Sequence, residues 1–374
     1  MMSKLFEASL INGLNLKNRF IRSATWEGMA TVDGAVTPKL VQTMIDLARG
    51  GVGLIISGHS YISPAGQGSP WQLGIYKDEL IPGLKGLTGA VHENGGKILM
   101  QLAHAGNFAA EDLIDQPPLV VSDFAGLAET RRQEITKSTI AELISAYTDA
   151  AARAKTAGFD GIQIHAAHGY LLSQFLSPAF NKRQDEYGGS IQNRARIHLE
   201  IYRSVRSIVG QDFPILIKMN CGDFVENGLD IEESVQAAEL FAGVGFDAIE
   251  LSGGLVGGGK LSPSRPGINS VDQEAYYKDH ARKVKNEIDV PLILVGGLRS
   301  FAVAEKLIVD GVADYISMSR PFIREPDLIN RWQSGDLRKA ECVSDNLCFN
   351  PGLEGKGIYC VTKEREEQKR NASS

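Results

Sequence analysis

The chain has 374 residues, 43% of them hydrophobic and 22% charged, ordinary proportions for a folded globular protein. Its net charge of −6 gives no electrostatic reason to expect nucleic acid or an anionic membrane surface as partner. No apolar run reaches the ~20 residues needed to span a bilayer, and the opening Met1-Met2-Ser3-Lys4-Leu5-Phe6-Glu7 lacks the apolar core of a secretory signal, so a cytoplasmic location is the default expectation.

Short β-rich runs alternate with longer amphipathic stretches. Leu5–Leu16 reads as a small hairpin. Strands are then expected at Phe20–Ser23, Gly53–Ile56, Ile98–Gln101, Gly161–His165, Ile215–Met219, Ala248–Leu251, Leu292–Val295 and Tyr315–Met318. Several are continuous apolar runs, as strands covered on both faces require. Helical patterns fall between them at Pro38–Arg49, Glu79–Asn94, Thr139–Ala157, Asn193–Val209, Ile231–Ala242, Gln273–Ile288 and Phe301–Val309. Glycines such as Gly50, Gly95, Gly158, Gly245 and Gly311 follow these stretches, which is helix C-cap chemistry. Eight strands with intervening helices predict an α/β fold, a closed eight-stranded parallel β/α (TIM) barrel whose bottom is plugged by the N-terminal hairpin. A doubly wound sheet is the alternative, but no Gly-x-Gly-x-x-Gly follows the first strand. The barrel is expected to occupy residues 1–340 as one domain. Residues 341–374 form a C-terminal tail whose polar end, Lys363–Ser374, is expected to fray.

Chemistry in such a barrel sits where strands run into loops. After strand seven comes Gly296-Gly297, after strand eight Ser319-Arg320. Paired glycines let backbone amides approach a phosphate and an arginine adds a charged fork; the plain alternative is a turn and a surface arginine. Strand four ends His165-Ala-Ala-His168-Gly-Tyr170. Two imidazoles can donate to one carbonyl oxygen, and a phenol can serve as general acid. A metal pair or two core histidines remain the alternatives, although no acidic or His cluster recurs at the other strand ends. Gln101 and Lys218 end apolar strands, suited either to the edge and charge of a bound heterocycle or to hydrogen bonds inside the barrel. Strand two runs into Ser57-Gly58-His59, and strand one into Ser23-Ala24-Thr25-Trp26-Glu27.

The stretch from His165-Ala-Ala-His168-Gly-Tyr170 through Asn181-Lys-Arg183-Gln-Asp185-Glu-Tyr187 to Asn193-Arg194 resembles the signature of the Old Yellow Enzyme family. Leu16-Lys17-Asn18-Arg19, Gln101-Leu-Ala-His104-Ala-Gly106, Gly296-Gly297 and Ser319-Arg320 recur in the same order, so the resemblance covers Leu5 to Arg338. It implies FMN across the barrel mouth and NADH or NADPH as electron donor. By that resemblance Gln101 faces the flavin pyrimidine edge, Lys218 replaces a basic residue near flavin N1, and Gly296, Gly297, Ser319 and Arg320 hold the phosphate. Ala24, Thr25 and Gly58 line the cofactor. His165 and His168 bind a substrate carbonyl, Tyr170 donates the proton, and Arg183 and Asp185 support the fold.

The sequence departs from the family in two places. Equal spacing from Asn18-Arg19 puts Trp26 where relatives carry a Thr or Cys that tunes flavin O4; Thr25 offers a hydroxyl one place earlier, and Trp26 then borders the substrate. In the tail, Cys342, Cys348 and Cys360 resemble the four-cysteine iron–sulfur segment of larger members, with Asp345 where the second cysteine would fall. Three thiolates do not make a four-thiolate cluster, so a remnant without metal is expected, against a cluster with an Asp ligand or a zinc site. The resulting expectation is an FMN-dependent ene-reductase acting on α,β-unsaturated carbonyl compounds. An NAD(P)H:flavin or quinone reductase and a non-redox phosphate-ligand barrel are the alternatives. The partners expected are a small enone or quinone acceptor and no nucleic acid or membrane, with a homo-oligomer compatible with the sequence.

Overall fold

The computed structural model describes residues 3–372. Eight parallel strands close on themselves: β1 (Phe20–Arg22), β2 (Leu54–Ile56), β3 (Ile98–Ala103), β4 (Gly161–Ala166), β5 (Ile215–Asn220), β6 (Ala248–Ser252), β7 (Leu292–Val295) and β8 (Tyr315–Met318). Each strand pairs with the next along the chain, and β8 returns to β1 with Ile316 opposite Phe20. Seven helices cross between successive strands: α1 (Pro38–Arg49), α2 (Ile81–Glu93), α3 (Lys137–Thr156), α4 (Ile191–Val209), α5 (Ile231–Val244), α6 (Lys278–Glu287) and α7 (Phe301–Val309). After β8 come a one-turn helix, Arg320–Arg324, and α8 (Leu328–Gln333). The β/α barrel expected from the sequence is therefore the fold.

Side-chain alternation divides the strands into two faces. Phe20, Ile55, Met100, Ile164, Ile217, Ile249, Leu294 and Ile316 point outward into the layer shared with the helices and are fully buried. Each such burial contributes roughly 1.5–3 kcal/mol. The other face fills the barrel. At its N-terminal end the filling is apolar: Ile21, Leu54, Ile56, Leu99, Leu216, Ala248, Ile293 and Tyr315 pack with Ile11 and Leu16. Those last two belong to the hairpin Ser9–Ile11/Leu14–Leu16, which plugs the bottom. Two residues further along the same strands the filling turns polar, with Ser23, Gln101, Gln163, Lys218, Glu250 and Ser317 all buried. A packed apolar base thus carries a polar layer, and the site lies above it.

The helices start where side-chain caps take the free amides. Thr37 Oγ1 accepts from Leu40 N–H before α1, Thr136 caps α3, Ser190 caps α4 and Asp230 caps α5. At the far end of α5, Gly245 closes the helix at φ +115°, left-handed backbone that favours glycine.

The tail is not a loose end. Ile358 N–H bonds to Glu27 O at 2.8 Å, Gly267 N–H to Ser344 O at 2.9 Å and Ala340 N–H to Arg299 O at 2.8 Å, so residues 340–358 are pinned across the barrel mouth. The expectation of a frayed polar end is corrected in part. Val361–Ala372 is helical but buries no side chain. It is held by ion pairs and hydrogen bonds, chiefly Arg324 to Glu366 at 2.6 Å, rather than by an apolar face.

Candidate active site

A cavity of about 390 Å³ opens at the C-terminal ends of the strands, within the range of roughly 300–1,000 Å³ usual for ligand sites. Its floor is the polar layer. Glu250 is fully buried and collects Ser23 Oγ at 2.7 Å, Ser317 Oγ at 2.9 Å, Gln163 Nε2 at 2.8 Å and Lys218 Nζ at 3.3 Å. Burial would raise this carboxyl, but the Lys218 charge and the hydrogen bonds from Ser23, Gln163 and Ser317 outweigh it and hold the group below its ordinary value. Lys218 Nζ also donates to Ser23 Oγ at 2.8 Å. Gln101 Nε2 donates to Gln163 Oε1 at 2.7 Å. Lys218 and Gln101 both face the cavity from this layer.

One wall comes from the end of β4. The rings of His165 and His168 lie 5.3 Å apart, and those of His165 and Tyr170 4.8 Å apart. His168 stands in left-handed backbone at φ +66°, with its amide bonded to Asn220 Oδ1 at 3.1 Å and its Nε2 to Ser252 Oγ at 2.8 Å. His165 Nδ1 is buried with no protein partner, a polar atom left for something in the cavity. Burial, then neighbouring positive charge including that of Lys218, pushes both imidazoles well below their ordinary value. Each is neutral at physiological pH and can offer one N–H. Burial raises the Tyr170 phenol to about 12, so it keeps its proton.

The opposite end is built from β7 and β8. Gly296 and Gly297 both have positive φ, +141° and +68°. A Cβ on Gly297 would come within 2.7 Å of the Tyr276 ring. Backbone and packing alike therefore demand glycine here. Beside them Arg320 is buried and donates through Nη1 to Asn346 Oδ1 at 2.7 Å. Asn346 in turn donates to Ser264 O at 2.7 Å. Ser319 Oγ shares a 2.7 Å hydrogen bond with Thr25 Oγ1, which also donates to Ser23 O at 2.9 Å.

The cavity thus gathers Ala24, Thr25, Trp26, Gln101, His165, His168, Tyr170, Lys218, Gly296, Gly297, Ser319 and Arg320. Gly58 stands apart from that lining. Its amide bonds to Glu27 Oε1 at 3.0 Å, and Glu27 pairs with Arg22 at 2.8 Å, so it supports the wall from behind. Thr25 is tied down by its hydrogen bonds, whereas the Trp26 ring lies against Gly352 of the tail, where a Cβ would approach it to 2.9 Å. Arg183 pairs with Asp185 at 2.6 Å and reaches Val121 O at 3.2 Å, bracing a loop outside the cavity. Sequence reasoning missed His59, Ser252, Asn346 and the Gln163–Glu250 pair. Gln163 and Glu250 had a visible signal, polar residues at inward-facing positions of apolar strands. Among the described residues, no group of three or more His, Cys, Asp or Glu side chains is placed to hold a metal ion.

Residues 4–338 match the NADH:flavin oxidoreductase / NADH oxidase family. The chain belongs to that family. It is 34% identical to an NADH oxidase of Thermoanaerobacter brockii, covering 98% of this chain and 58% of that one. It is 36% identical to an NADPH dehydrogenase of Bacillus subtilis (strain 168), over 87% of this chain and 93% of that one. The fold superposes on the old yellow enzyme homologue from Zymomonas mobilis with a TM-score of 0.78 at 26% identity, covering 96% and 98% of the two chains. The chain thus spans little more than half the length of the Thermoanaerobacter relative and nearly all of the other two. The family, with its Old Yellow Enzyme members, is one of FMN-dependent oxidoreductases that draw electrons from NADH or NADPH, as the sequence resemblance implied. The cavity fits that cofactor. It offers a buried arginine beside the Gly296-Gly297 turn at one end, a lysine and an amide on the floor, and an orphaned imidazole nitrogen on the wall. No helix among the described residues is long and apolar enough to cross a membrane.

Proposed function

We propose that this chain reduces the carbon–carbon double bond of α,β-unsaturated carbonyl compounds. The observation that carries the reading is the convergence of three side chains on one wall, the His165 ring 5.3 Å from that of His168 and 4.8 Å from that of Tyr170. FMN, when bound, supplies the hydride that NADH or NADPH provides. Gly296, Gly297, Ser319 and Arg320 are the residues that would hold its phosphate, and Gln101, Lys218, Ala24 and Thr25 those that would border its ring.

The chain's own residues then set the polarity of the acceptor. Neutral His165 and His168 each direct an N–H at the substrate carbonyl oxygen and stabilise negative charge as it develops there. Ser252 holds the His168 ring in one orientation. Tyr170, kept protonated by its raised pKa, delivers a proton to the α-carbon. Trp26 limits the acceptor's shape at the end of the cavity covered by the tail. Anaerobic reduction of the FMN-loaded protein with NADPH, followed by cyclohexenone and by a quinone in separate experiments, tests the assignment. Rapid reoxidation by the enone is expected; reoxidation by the quinone alone would make the chain a quinone reductase on the same scaffold.

A further inference from the structure

Tyr170 does not stand alone in the cavity. Its Oη meets His59 Nε2 at 3.2 Å, and the two rings lie edge to face with centroids 5.1 Å apart. His165 and Phe108 box the phenol on its other sides, at 4.8 and 6.1 Å. Among the described residues, His59 is the side chain hydrogen-bonded to the Tyr170 hydroxyl.

His59 is held for this contact. It follows β2 after Ser57 and Gly58, and Ser60–Tyr61 then pairs with the end of β3, Ser60 opposite Leu102. Its carbonyl accepts from Gln72 Nε2 at 3.0 Å, and Gln72 Oε1 takes the Gly68 N–H at 2.8 Å. The backbone is therefore fixed on both sides, while the half-buried imidazole lines the cavity.

A general acid that has given up its proton must regain it before the next turnover. We propose that His59 is the positioning residue of Tyr170, aiming its hydroxyl into the cavity and returning its proton after each reduction. The inference rests on Tyr170 being the proton donor. As the α-carbon gains a C–H bond, the Tyr170 O–H bond breaks and leaves a phenolate. The His59 Nε2–H bond then breaks as the phenol O–H reforms while Nδ1 takes a proton from water in the same step, and exchange with solvent returns the Nε2–H tautomer before the next turnover. One solvent proton is consumed for each hydride delivered, which balances the reduction of one double bond. Burial and the Lys218 charge hold His59 at about 4, and burial holds Tyr170 at about 12. The resting pair is a neutral imidazole and a neutral phenol, with the transferable proton on Tyr170.

His59→Gln tests this, because the amide keeps a hydrogen-bonding group within reach but does not relay protons at neutral pH. In stopped-flow reoxidation of NADPH-reduced, FMN-loaded enzyme by cyclohexenone, the variant should be slower by about 10-fold or more, a fraction of the full general-acid effect. The loss should fall on kcat rather than on KM for the enone, and should exceed any loss in reduction by NADPH. Tyr170→Phe/His59→Gln should be no slower than Tyr170→Phe alone. A readout that needs no turnover is the ring-carbon NMR resonance of Tyr170 in tyrosine-labelled enzyme, identified by its loss in Tyr170→Phe; it should move in His59→Gln and in His59→Asn. A parental enone rate in His59→Gln, with Tyr170→Phe impaired, overturns the His59 inference and leaves the ene-reductase reading standing. Losses that multiply in the double variant overturn it too. A parental rate in Tyr170→Phe brings down both.

Discussion

Lys218 and Glu250 face one another on adjacent strands inside the barrel, Nζ to Oε1 at 3.3 Å, both almost completely shielded from solvent. The pair is directly in register across β5 and β6, so neither side chain can leave without leaving the other's charge buried. Removing one partner of a buried ion pair costs about 3–5 kcal/mol, whereas removing both costs less than the sum. Glu250→Gln should therefore destabilise the protein on that scale in chemical unfolding. Glu250→Gln combined with Lys218→Met should recover more than 1 kcal/mol relative to additivity, a usual coupling for contacting residues. Strict additivity would show that the two side chains are not coupled and that Ser23, Ser317 and Gln163 satisfy Glu250 without Lys218.

This polar layer shows where sequence reading stops. β7, β8, α1 and α7 were legible to the residue because each lies between unambiguous breaks, such as Gly296 after β7 and Gly50 after α1. The strand-end residues His165, His168, Tyr170 and Arg320 were legible because the fold places strand ends at one rim. Gln163 and Glu250 were passed over because they sit within strands, where only the inward or outward parity reveals that a polar residue points at the site. His59 stood at the end of strand two in the sequence, but its role appears only when β2 and β4 end on the same side of the cavity. The docking of residues 340–358 was invisible for a related reason. It depends on backbone hydrogen bonds such as Ile358 to Glu27, and on the Trp26–Gly352 contact, which carry no periodicity.

Arg320 and Asn346 give a prediction about the cofactor. Asn346 orients the Arg320 guanidinium at 2.7 Å beside the glycine turns. A charge-assisted hydrogen bond to phosphate contributes about 1.5–3 kcal/mol. Arg320→Ala should weaken FMN binding by roughly 10- to 150-fold, measured by fluorescence titration of the apoprotein. Unchanged affinity would remove Arg320 from the phosphate site.

His104 carries a pH dependence. It is buried, its Nδ1 accepts the Gly106 N–H at 3.1 Å, and burial pushes it down to about 4. Protonation would break that hydrogen bond and strand a charge. Between about 6.5 and about 4 the unfolded chain takes up a proton that the folded chain refuses, so stability falls as pH falls through that window and levels off below it. The contribution is at most roughly 3 kcal/mol. His104→Asn keeps an acceptor near Gly106 but does not titrate. In denaturant titrations at pH 7 and pH 4.5 it should lose less stability than the parent. Equal losses would place the acid sensitivity elsewhere.

The tail should hold no cluster. Cys342 and Cys348 are buried thiols pushed upward by burial, Cys348 to about 12, and among the described residues no three His, Cys, Asp or Glu side chains are placed to share a metal ion. Asp345 is already engaged, accepting from Leu347 N–H at 3.1 Å and from the Thr362 hydroxyl. Iron and acid-labile sulfide in anaerobically purified protein should be far below stoichiometric. A [4Fe–4S] cluster, about four irons per chain, would require Asp345 or another group to complete the ligand set.

Tyr170→Phe separates the two halves of the proposed reaction. The substitution removes the hydroxyl but keeps the ring that packs against His165 and Phe108, so the wall should survive. Reduction by NAD(P)H needs no proton from Tyr170, while protonation of the enone α-carbon does. Reoxidation by cyclohexenone should therefore slow by about 10²–10⁴-fold, the usual scale for losing a general acid. Quinones accept electrons without forming a C–H bond, so reoxidation by a quinone should be affected far less. His168→Ala should behave differently. It removes a neutral N–H donor and frees Ser252, so it should weaken binding of a phenol, a mimic of the enolate, as well as slow enone turnover. Stopped-flow of both half-reactions and a phenol titration of each variant distinguish the cases. If Tyr170→Phe turns over enone at the parental rate, water or another side chain supplies the proton. If it instead abolishes reduction by NAD(P)H, Tyr170 belongs to nicotinamide binding, and the division of labour along this wall has to be redrawn.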